Sequence, residues 1–464
     1  MAIHLALKRK DKKKQFYIKN LSLNERFFYF YPIMNESMNE LYEVFLNSSG
    51  ITTDTRKIEP NQLFFALKGT NFNGNSYAIK ALEQGAIAVV IDEIHEDAIS
   101  ENSKQIFLVA DVLLTLQELA EKHRTNYKGI VIALTGSNGK TTTKELLNSV
   151  LSSRFNTLCT YGNLNNHIGV PLTLLNLRNS HEIAIIEMGA NHQHEIESYC
   201  KWVHPDIGII TNIGKAHLEG FGGIEGVIKG KTELYRYIQS HGGMLWVNSD
   251  DALLVEKSKN IPHQYYGVKN EFFELLEINF QEEYLNFEIL SEGINYAVKT
   301  QLTGVYNLSN ILLAIYAGMY FKIPMSKILA SLSKYTPTNS RSQIIKGTDY
   351  TIILDAYNAN PSSMEVAIQN LATFNPETIA YLGAMKELGA ATTKEHQTIG
   401  KILQSSGIKE VILVGEEFLE TAKEFNYIFF ESSDAAKEHF RNLDKSGKTI
   451  LIKGSRGSVM EKIL

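Results

Sequence analysis

A glycine-rich turn lies between an apolar run and an amphipathic segment, and it is the strongest chemical signal in the chain. The run Ile130–Leu134 is followed by TGSNGKTTT at residues 135–143, after which four apolar residues recur at helical spacing: Leu146, Leu147, Val150 and Leu151. Gly136 and Gly139 let the backbone curl so that successive N–H groups, with the positive end of the next helix, face an anion. The pattern predicts a phosphate-binding loop.

Lys140 and Thr141 are the reactive side chains of this loop. The lysine would neutralise charge on the β- and γ-phosphates of a nucleotide, and the threonine hydroxyl would bind Mg²⁺. The full-length nucleotide loop has a glycine where this chain has Leu134. The loop is therefore a shortened variant of that motif.

Three other positions could supply a metal ligand or a charge. Glu187 ends the apolar run Ile183–Glu187, and a carboxylate at the carboxyl end of a strand beside the phosphate loop suits Mg²⁺. His217 follows another apolar run, but imidazole is a poor ligand for Mg²⁺. Taken alone, Glu187 also fits a solvated turn and His217 a surface or packing residue. Lys229 and Lys231 together fit a solvated helix face.

Elements that position these residues alternate between β-rich runs and helical patterns, which indicates α/β domains with parallel sheets. Val112–Tyr127 has a helical pattern, and two pairs have capping-box spacing that predicts a helix start: Ser362 with Glu365, and Thr392 with Glu395. The clearest predicted strands are Ile130–Leu134, Ile183–Glu187, Ile207–Thr211, Thr351–Asp355, Thr378–Leu382, Val411–Gly415 and Thr449–Lys453.

The chain length of 464 residues predicts about three domains. We place one boundary after the Val112–Tyr127 helix and another near residues 335–339, where Pro337 breaks a helical pattern. The predicted domains are residues 34–125, 126–335 and 336–464. Residues 1–33 are a separate basic segment, which we expect to be a disordered tail or the product of a start codon placed too early, with Met34 or Met38 as the true start.

Composition and charge exclude several classes of protein. The chain is 44% apolar and 21% charged, which is typical of a globular protein. Its longest apolar run, Ile311–Phe321, is far shorter than the ~20 residues of a membrane-spanning helix. Residues 1–33 carry a net charge of +6, so the overall charge of −5 leaves −11 on the rest, which disfavours nucleic-acid binding. Two cysteines, Cys159 and Cys200, favour a reducing cytoplasm.

Nine stretches together resemble the Mur ligase family of peptidoglycan synthesis, over residues 39–464. The shortened loop is shared with folylpolyglutamate synthases, whereas GNLNNHIG, GANH and AYNANP are similar to the branch that adds D-alanyl-D-alanine to UDP-N-acetylmuramoyl-tripeptide. The stretches are DTR (54–56), LFFALKG (63–69), TGSNGKTTTKE (135–145), GNLNNHIGVPLTLL (162–175), EMGANH (187–192), NIGKAHLEGFG (212–222), GVYNLSN (304–310), DAYNANPSSM (355–364) and KGSRG (453–457).

The resemblance implies a central parallel-sheet ATPase domain between an N-terminal UDP-substrate domain and a C-terminal Rossmann-like domain. It also implies ATP, two Mg²⁺ ions and a Lys231 carbamylated by CO₂, which turns a cation into an oxygen-bearing anion. The implied catalytic residues are Lys140, His217 and Lys231, and the implied metal ligands are Thr141, Glu187, His217 and Lys231. The implied ATP-binding residues are Gly136, Ser137, Asn138, Gly139, Lys140, Thr141, Thr142, Asn307, Asn310, Arg341 and Asp355.

The same resemblance implies where the other substrates bind. We expect the uridine diphosphate portion on the first domain and the dipeptide on the third, with further substrate contacts in GNLNNHIG. The implied residues are Asp54, Thr55, Arg56, Asn73, Gly74, Asn163, Asn166, Tyr357, Asn358 and Asn360. Three positions depart from the family: Asn73 replaces a frequent Asp, Ser340 a frequent Gly and Ala384 a usual Asp.

The expected reaction is ATP-dependent amide formation through an acyl phosphate, by a monomeric cytoplasmic enzyme that binds neither nucleic acid nor a membrane. A sister Mur or folylpolyglutamate ligase, an ATP-binding module without ligase activity and a nucleic-acid motor are the rival interpretations. AYNANP and the first domain disfavour the sister reactions. The intact phosphate loop and metal residues disfavour a binding module without activity. The net negative charge of the residues after residue 33 disfavours a nucleic-acid motor. The choice between lysine and diaminopimelate in the tripeptide stays open.

Overall fold

The computed structural model describes residues 38–93, 105–279, 283–374 and 377–464. The predictions for residues 1–33 and for Met34 lie outside these residues. Contacts divide the described residues into two compact units: a first unit within residues 38–128 and 167–178, and a second unit within residues 129–166 and 179–464. Each unit is described by itself.

The first unit contains a small parallel sheet. A short hairpin, Lys68–Gly69 with Phe72–Asn73, lies apart from this sheet. Phe64, Ala81 and Val89 belong to the buried core of the unit. In spatial order, the strands of the sheet are Ile51–Thr52, Leu63–Phe65, Ala88–Ile91 and Ile106–Leu108. The helices cover residues 38–46, Ala78–Glu83, Val112–Asn126 and Gly169–Leu174.

The second unit begins with the sheet that carries the phosphate loop, called the central sheet here. All its strands are parallel, and the strand before the loop lies between the strands that lead to Glu187 and to residue 211. In spatial order, the strands are His263–Tyr266, Met244–Asn248, Ile207–Ile210, Ile130–Thr135, Ile183–Glu187 and Thr157–Cys159. Because the carboxyl ends of parallel strands meet at one edge, the predicted site residues after neighbouring strands lie near each other.

Helices cover the central sheet and bury an apolar core. The four apolar residues predicted for one face of the first helix, Lys140–Leu151, are all buried, against the fully buried face of Leu308–Tyr320. The other helices are Glu195–Val203, Leu218–Phe221, Ile224–Lys231, Glu233–His241, Ala252–Ser258 and Met325–Lys334. Within the described residues, no helix is both long enough and apolar enough to cross a membrane.

Two further sheets complete the second unit. An antiparallel sheet consists of Glu274–Asn279, Asn286–Ser291 and Ile294–Val298. The C-terminal sheet has one antiparallel edge strand and five parallel strands, in the order Gln343–Lys346, Thr351–Asp355, Thr449–Lys453, Thr378–Gly383, Glu410–Val414 and Ile428–Phe430. Its helices are Pro361–Leu371, Thr392–Ser406, Leu419–Phe425 and Ser433–Asn442.

The predicted strands are all present, with ends that differ by at most one residue, and helices begin close to both predicted starts. The predicted capping pairs themselves do not form. The helix predicted to start at Ser362 is capped by Asn360, whose side chain accepts from Ser363 N at 2.9 Å while Ser363 Oγ accepts from Asn360 N. Thr392 is the first residue of its helix and its hydroxyl donates to Gly389 O. Glu395 pairs with Lys215 instead of capping. The first helix thus uses a local capping box two residues earlier than predicted, and only at the second does a tertiary ion pair take the predicted capping residue.

The limits 34–125, 126–335 and 336–464 stay predictions. One main parallel sheet lies in each of these ranges. The helix Gly169–Leu174 falls within the range predicted for the central domain but groups with the first unit, where it packs beside Val112–Asn126.

Candidate active site

The phosphate loop, residues 136–139, has a backbone that requires its glycines. Gly136 and Gly139 have φ values of +145° and +78°. A Cβ at Gly136 would lie 2.0 Å from Thr211 Oγ1, and one at Gly139 would lie 2.9 Å from Asn310 Oδ1. Gly139 precedes the helix Lys140–Leu151 without a side-chain cap, so the first helical N–H groups have no side-chain acceptor from that position. This geometry fits a bound phosphate.

The loop is held by the segment that follows the neighbouring strand. Asn212 accepts from Ser137 N through its carbonyl and from Asn138 N through its side chain, both at 3.0 Å. Ser137 Oγ donates to Gly214 O at 3.0 Å and accepts from Gly214 N at 2.9 Å. Thr211 Oγ1 donates to Asn138 O at 2.6 Å. The predicted residues Ser137 and Asn138 therefore fix the loop in place.

Lys140 lies over the loop. Its Nζ donates to Gly136 O at 2.7 Å. Burial lowers the pKa of Lys140 to about 8, while the negative charge of Glu187 opposes that shift and the charge of Arg341 adds to it. Lys140, Glu187 and Arg341 are therefore close enough to interact electrostatically.

Glu187 and Thr141 form the best candidate for a metal site. Glu187 Oε1 accepts from Thr141 Oγ1 at 3.2 Å and from Asn165 Nδ2 at 2.7 Å. Glu187 Oε2 is buried and has no hydrogen-bond partner among the described residues. A hydroxyl and a carboxylate with an uncommitted oxygen are the hard oxygen donors that Mg²⁺ prefers. These residues fit the ion.

Lys231 is fully buried at the end of the helix Ile224–Lys231. Its Nζ donates to Ala190 O at 3.0 Å and lies 5.1 Å above the ring of Phe221. Burial lowers the pKa of Lys231 well below the ordinary lysine value, and the charge of Lys140 lowers it further. Lys229, two residues earlier, is exposed.

His217 lies just before the short helix Leu218–Phe221, in a left-handed backbone conformation with φ of +52°. Its Nδ1 lies 2.5 Å from Glu387 Oε2, and this contact lowers the pKa of Glu387. The same short helix ends at Phe221, whose ring contacts Lys231. Among the described residues, no group of three or more His, Cys, Asp or Glu side chains is arranged to hold a metal ion.

Asn307 and Asn310 are buried beside the phosphate loop. Asn310 Oδ1 accepts from Thr143 Oγ1 at 2.9 Å, and its Nδ2 donates to Asn307 Oδ1 at 3.1 Å. Asn307 Nδ2 donates to Thr303 O at 2.9 Å. Both amides thus form a network that packs against Gly139, and the role in adenine binding predicted for them stays a prediction.

Arg341 and Asp355 lie at the start of the C-terminal region. The Arg341 guanidinium lies 3.7 Å from the centre of the Tyr357 ring, and its buried Nε has no hydrogen-bond partner among the described residues. Asp355 accepts from Ser342 N at 3.1 Å and from Lys453 Nζ at 2.5 Å. Ser340 has φ of +55°, a conformation that glycine adopts at less cost, which agrees with the glycine frequent there in the family.

The predicted dipeptide contacts differ in their surroundings. Asn360 Nδ2 donates to Asn138 Oδ1 at 2.7 Å, so the C-terminal region contacts the phosphate loop directly. Asn358 is exposed and its Oδ1 accepts from Arg456 N. Asn163 and Asn166 are also exposed, and Thr142 is half-buried.

The residues predicted to bind uridine diphosphate lie in the first unit. Asp54 caps the short helix Thr55–Lys57, in which Thr55 is buried, and forms two hydrogen bonds of 2.8 Å with the Arg56 guanidinium. Arg56 lowers the pKa of Asp54 to about 2. Asn73 caps the next short helix, Gly74–Tyr77, and donates to Glu93. A Cβ at Gly74 would lie 2.6 Å from the backbone of residues 66 and 67.

Sequence reasoning missed three residues that contact predicted site residues or the loops around them. Asn165 is the amide of the NLNN run that reaches Glu187. Lys144 is fully buried and donates to Thr160 O at 2.7 Å, beneath the same loop. Glu387 contacts His217 from 170 residues away. The run of three asparagines in residues 163–166 was a signal for the first, whereas the other two contacts had no local signal.

A cleft of about 830 Å³ lies between the antiparallel sheet and the C-terminal sheet. Its lining includes Tyr284, Tyr306, Thr351, Phe374 and Thr449. Thr351 and Thr449 begin their strands, whereas Asp355 and Lys453 end them. The cleft is therefore at the amino ends of these strands and is distinct from the phosphate loop.

Three family profiles match the chain along most of its length. They are described as Mur ligase family, catalytic domain (residues 47–124), Mur ligase middle domain (134–318) and Mur ligase, glutamate ligase domain (340–456). The predicted three-domain α/β fold is thereby confirmed.

Individual relatives cover nearly the whole chain. A UDP-N-acetylmuramoyl-tripeptide–D-alanyl-D-alanine ligase of Buchnera aphidicola subsp. Baizongia pistaciae is 36% identical, over 89% of this chain and 91% of that protein. A crystal structure of MurF from Acinetobacter baumannii is 32% identical, with a TM-score of 0.81 over 92% of this chain and 97% of that one. MurF ligase from Thermotoga maritima in complex with ADP is 26% identical, with a TM-score of 0.78 over 90% and 96%. The chain belongs to the Mur ligase family.

Proposed function

We propose that this chain is an ATP-dependent ligase that joins D-alanyl-D-alanine to UDP-N-acetylmuramoyl-tripeptide in peptidoglycan precursor synthesis. The observation that carries the proposal is the meeting of Lys140, Thr141 and Glu187 at the carboxyl ends of two adjacent strands. Relatives of this branch, at 30–36% identity over about nine-tenths of the chain, support the choice of substrates. The two cysteines support a cytoplasmic location, and we infer a monomer.

The chemical problem is that a carboxylate is anionic and has no leaving group. We infer that a carboxylate oxygen of the tripeptide attacks the γ-phosphorus of ATP in line, so that ADP leaves and an acyl phosphate forms. The free amine of the dipeptide then attacks the acyl carbon, loses one proton and expels phosphate. The products are one amide, one ADP and one phosphate.

The residues around the phosphate loop have separate tasks in the first step. The backbone N–H groups at the start of the helix Lys140–Leu151 bind phosphate oxygens, and Lys140 neutralises charge that would repel the incoming carboxylate. Arg341 is suited to bind a phosphate from the C-terminal side, because its charge acts on Lys140 and its Nε has no hydrogen-bond partner in the part of the chain that the structure describes. Asn307 and Asn310 hold the loop and approach the adenine, and Asp355 approaches the ribose.

Thr141 and Glu187 would hold one Mg²⁺ ion, and His217 with carbamylated Lys231 would hold a second. When bound, these ions supply positive charge to the phosphate oxygens as Lewis acids. The Lys231 amine is a good site for carbamylation, because it is fully buried and bonds only a backbone carbonyl and a ring face among its described contacts. CO₂ reacts with the neutral form of an amine, and burial favours that form.

Two groups of residues are the candidates for binding the other substrates. Asp54, Thr55, Arg56, Asn73 and Gly74 would bind the uridine diphosphate portion. Asn163 and Asn166 remain separate candidates for substrate contacts in the second unit. Tyr357, Asn358 and Asn360 would face the dipeptide. Closure of the C-terminal region over the central sheet would keep water from the acyl phosphate.

The experiment that tests the function is analysis of the product by mass spectrometry. The purified chain should form UDP-N-acetylmuramoyl-pentapeptide only when ATP, Mg²⁺, the UDP-tripeptide and D-alanyl-D-alanine are all present. Parallel reactions with lysine-containing and diaminopimelate-containing tripeptides identify the third residue. Product formation with an amino acid instead of the dipeptide, or with a folate substrate, would favour a sister reaction and contradict the proposal.

A further inference from the structure

The segment 212–219 follows the strand Ile207–Ile210 and includes the first two residues of the helix Leu218–Phe221, and it contacts the C-terminal region at several points. Lys215 N donates to Ser362 Oγ at 3.0 Å, and Lys215 Nζ bonds both oxygens of Glu395 at 2.8 and 3.0 Å. A Cβ at Gly214 would lie 2.9 Å from Ser362 Oγ, so the two surfaces meet without room for a side chain there. This segment is therefore part of the surface on which the C-terminal region docks.

Glu387 makes the contact that reaches a predicted site residue. Its carboxylate Oε2 lies 2.5 Å from His217 Nδ1, and its backbone carbonyl accepts from Glu219 N at 3.1 Å. Both Glu387 and His217 have left-handed backbones, with φ of +62° and +52°. The left-handed conformation costs conformational free energy for a residue other than glycine. Two such residues in contact therefore indicate that the surrounding structure holds both backbones in place.

A carboxylate can only accept a hydrogen bond, so this contact decides where the imidazole proton lies. In a neutral imidazole one ring nitrogen carries the proton and the other has the lone pair. With Nδ1 donating to Glu387, Nε2 is left as the nitrogen able to bind a metal. Metal-binding histidines are commonly oriented in this way by a carboxylate on their second nitrogen.

We propose that Glu387 is a positioning residue that fixes His217 as the Nδ1–H tautomer, so that docking of the C-terminal region prepares His217 to bind a metal. The inference rests on the role proposed above for His217 as a metal ligand. It explains how a carboxylate 170 residues away along the chain acts on the site without touching substrate. The side chains of His217 and Glu387 are 25% and 51% exposed, and ion pairs at this exposure add little to stability. Loss of the contact should therefore leave the protein folded.

The first test is the tautomer of His217, observed by ¹⁵N NMR in the metal-free enzyme. We expect the Nδ1–H form in the natural protein and in Glu387→Gln, because the glutamine carbonyl can still accept from Nδ1. We expect the Nε2–H form to predominate in Glu387→Leu. Retention of the Nδ1–H form in Glu387→Leu would overturn the inference.

The second test is the affinity for Mn²⁺, measured by electron paramagnetic resonance with ADP present. Glu387→Leu should weaken the binding about 10- to 100-fold, with recovery in Glu387→Gln. Lys215→Met is the matched control, because it breaks a docking contact that does not touch His217. It should weaken Mn²⁺ binding less than Glu387→Leu does, and an equal loss would show that docking alone matters and would overturn the role of Glu387.

His217→Ala separates this inference from the proposed function. If His217→Ala weakens Mn²⁺ binding and Glu387→Leu does not, the metal role of His217 stands and the role of Glu387 is wrong. If His217→Ala leaves Mn²⁺ binding intact, the metal role is wrong and the inference fails with it.

Discussion

Lys140 has the largest share of the proposed chemistry at the scale of single residues. We expect Lys140→Ala to remove more than ~3 kcal/mol of transition-state stabilisation, because it deletes a preorganised charge at the phosphates. Steady-state kinetics should show this as a fall of more than about 100-fold in kcat/KM for ATP. Circular dichroism checks that the variant is folded, and a folded variant with near-normal turnover would refute the assignment.

Lys231 and Lys229 offer a matched pair on one helix, the first fully buried and the second exposed. With ¹³C-labelled bicarbonate, NMR should detect one lysine carbamate in the natural protein. The signal should disappear in Lys231→Arg and persist in Lys229→Arg, because only Lys231 lies in the buried position where the neutral amine is favoured. A carbamate that survives in Lys231→Arg would show that the modified residue is another lysine.

Asp54 is expected to titrate far below an ordinary aspartate. Its pKa is lowered to about 2 from 3.8, mainly by the hydrogen bond from Arg56. Because the folded-state pKa is the lower one, the stabilisation is complete above about pH 3.8 and is lost as the pH falls through about 2. An NMR titration should show the pKa of Asp54 raised toward 3.8 in Arg56→Gln, where the backbone hydrogen bond from residue 56 remains, but little changed in Lys57→Gln. Equal shifts in the two variants would contradict the contact.

Helix Pro361–Leu371 links structure and site at the scale of elements, since its cap, Asn360, also bonds Asn138. Asn360→Ala should lower the local stability of the helix by about 0.5–2 kcal/mol. The measurement is hydrogen exchange at Ser363 N, which donates to the Asn360 side chain and should exchange faster in the variant. Asn360→Asp keeps the cap but loses the donor to Asn138. Both variants should raise the KM for ATP.

Ser432→Ala is the control for this prediction. Ser432 caps the helix Ser433–Asn442 by accepting from Ala435 N at 3.2 Å, away from the predicted site residues. The Ser432→Ala variant should show faster hydrogen exchange at Ala435 N and an unchanged KM for ATP. An unchanged KM in Asn360→Asp would show that the contact with Asn138 does not serve nucleotide binding.

The sequence predicted the elements well because their signals are local. The strand at Ile183–Glu187 and the glycine loop follow from apolar periodicity and from glycine at positions with positive φ. The fold of the loop 163–166 over Glu187 determines which asparagine side chain points inward. Sequence reasoning therefore identified Asn163 and Asn166 as site residues and missed Asn165. Spacing likewise suggested Ser362 as a cap, whereas Asn360 forms the capping box with Ser363.

Partners that are distant along the chain were beyond this reasoning. Lys144, Glu387 and Glu395 all contact residues near the phosphate loop, but nothing in their local sequence indicates which residue each one meets. The resemblance in motifs identified the residues expected to bind ligands. Only the fold shows which other residues hold those side chains in position. The contacts between the central sheet and the C-terminal region belong to this second class.

Docking of the C-terminal region on the central sheet is the feature that matters at the scale of the whole molecule. Glu395 is buried and bonds Lys215 across this junction. Glu395→Gln should weaken docking by about 1–2 kcal/mol, because a charged hydrogen bond becomes a neutral one. Hydrogen exchange should therefore be about 10-fold faster at Lys215 N and Glu219 N, which both donate across the junction.

Lys409→Gln is the control for docking, because it breaks an exposed ion pair with Glu377 inside the C-terminal region. It should leave exchange at both junction amides unchanged. If Glu395→Gln also leaves them unchanged, the Lys215–Glu395 pair does not hold the junction.

The central claim is that the residues around the phosphate loop activate the tripeptide carboxylate with ATP, and isotope transfer tests it most directly. The UDP-tripeptide is labelled with ¹⁸O in its terminal carboxylate, and the released phosphate is analysed by mass spectrometry after one turnover with D-alanyl-D-alanine. An acyl phosphate requires one ¹⁸O atom in each phosphate for every amide formed. Phosphate that carries no ¹⁸O while amide accumulates would contradict the account.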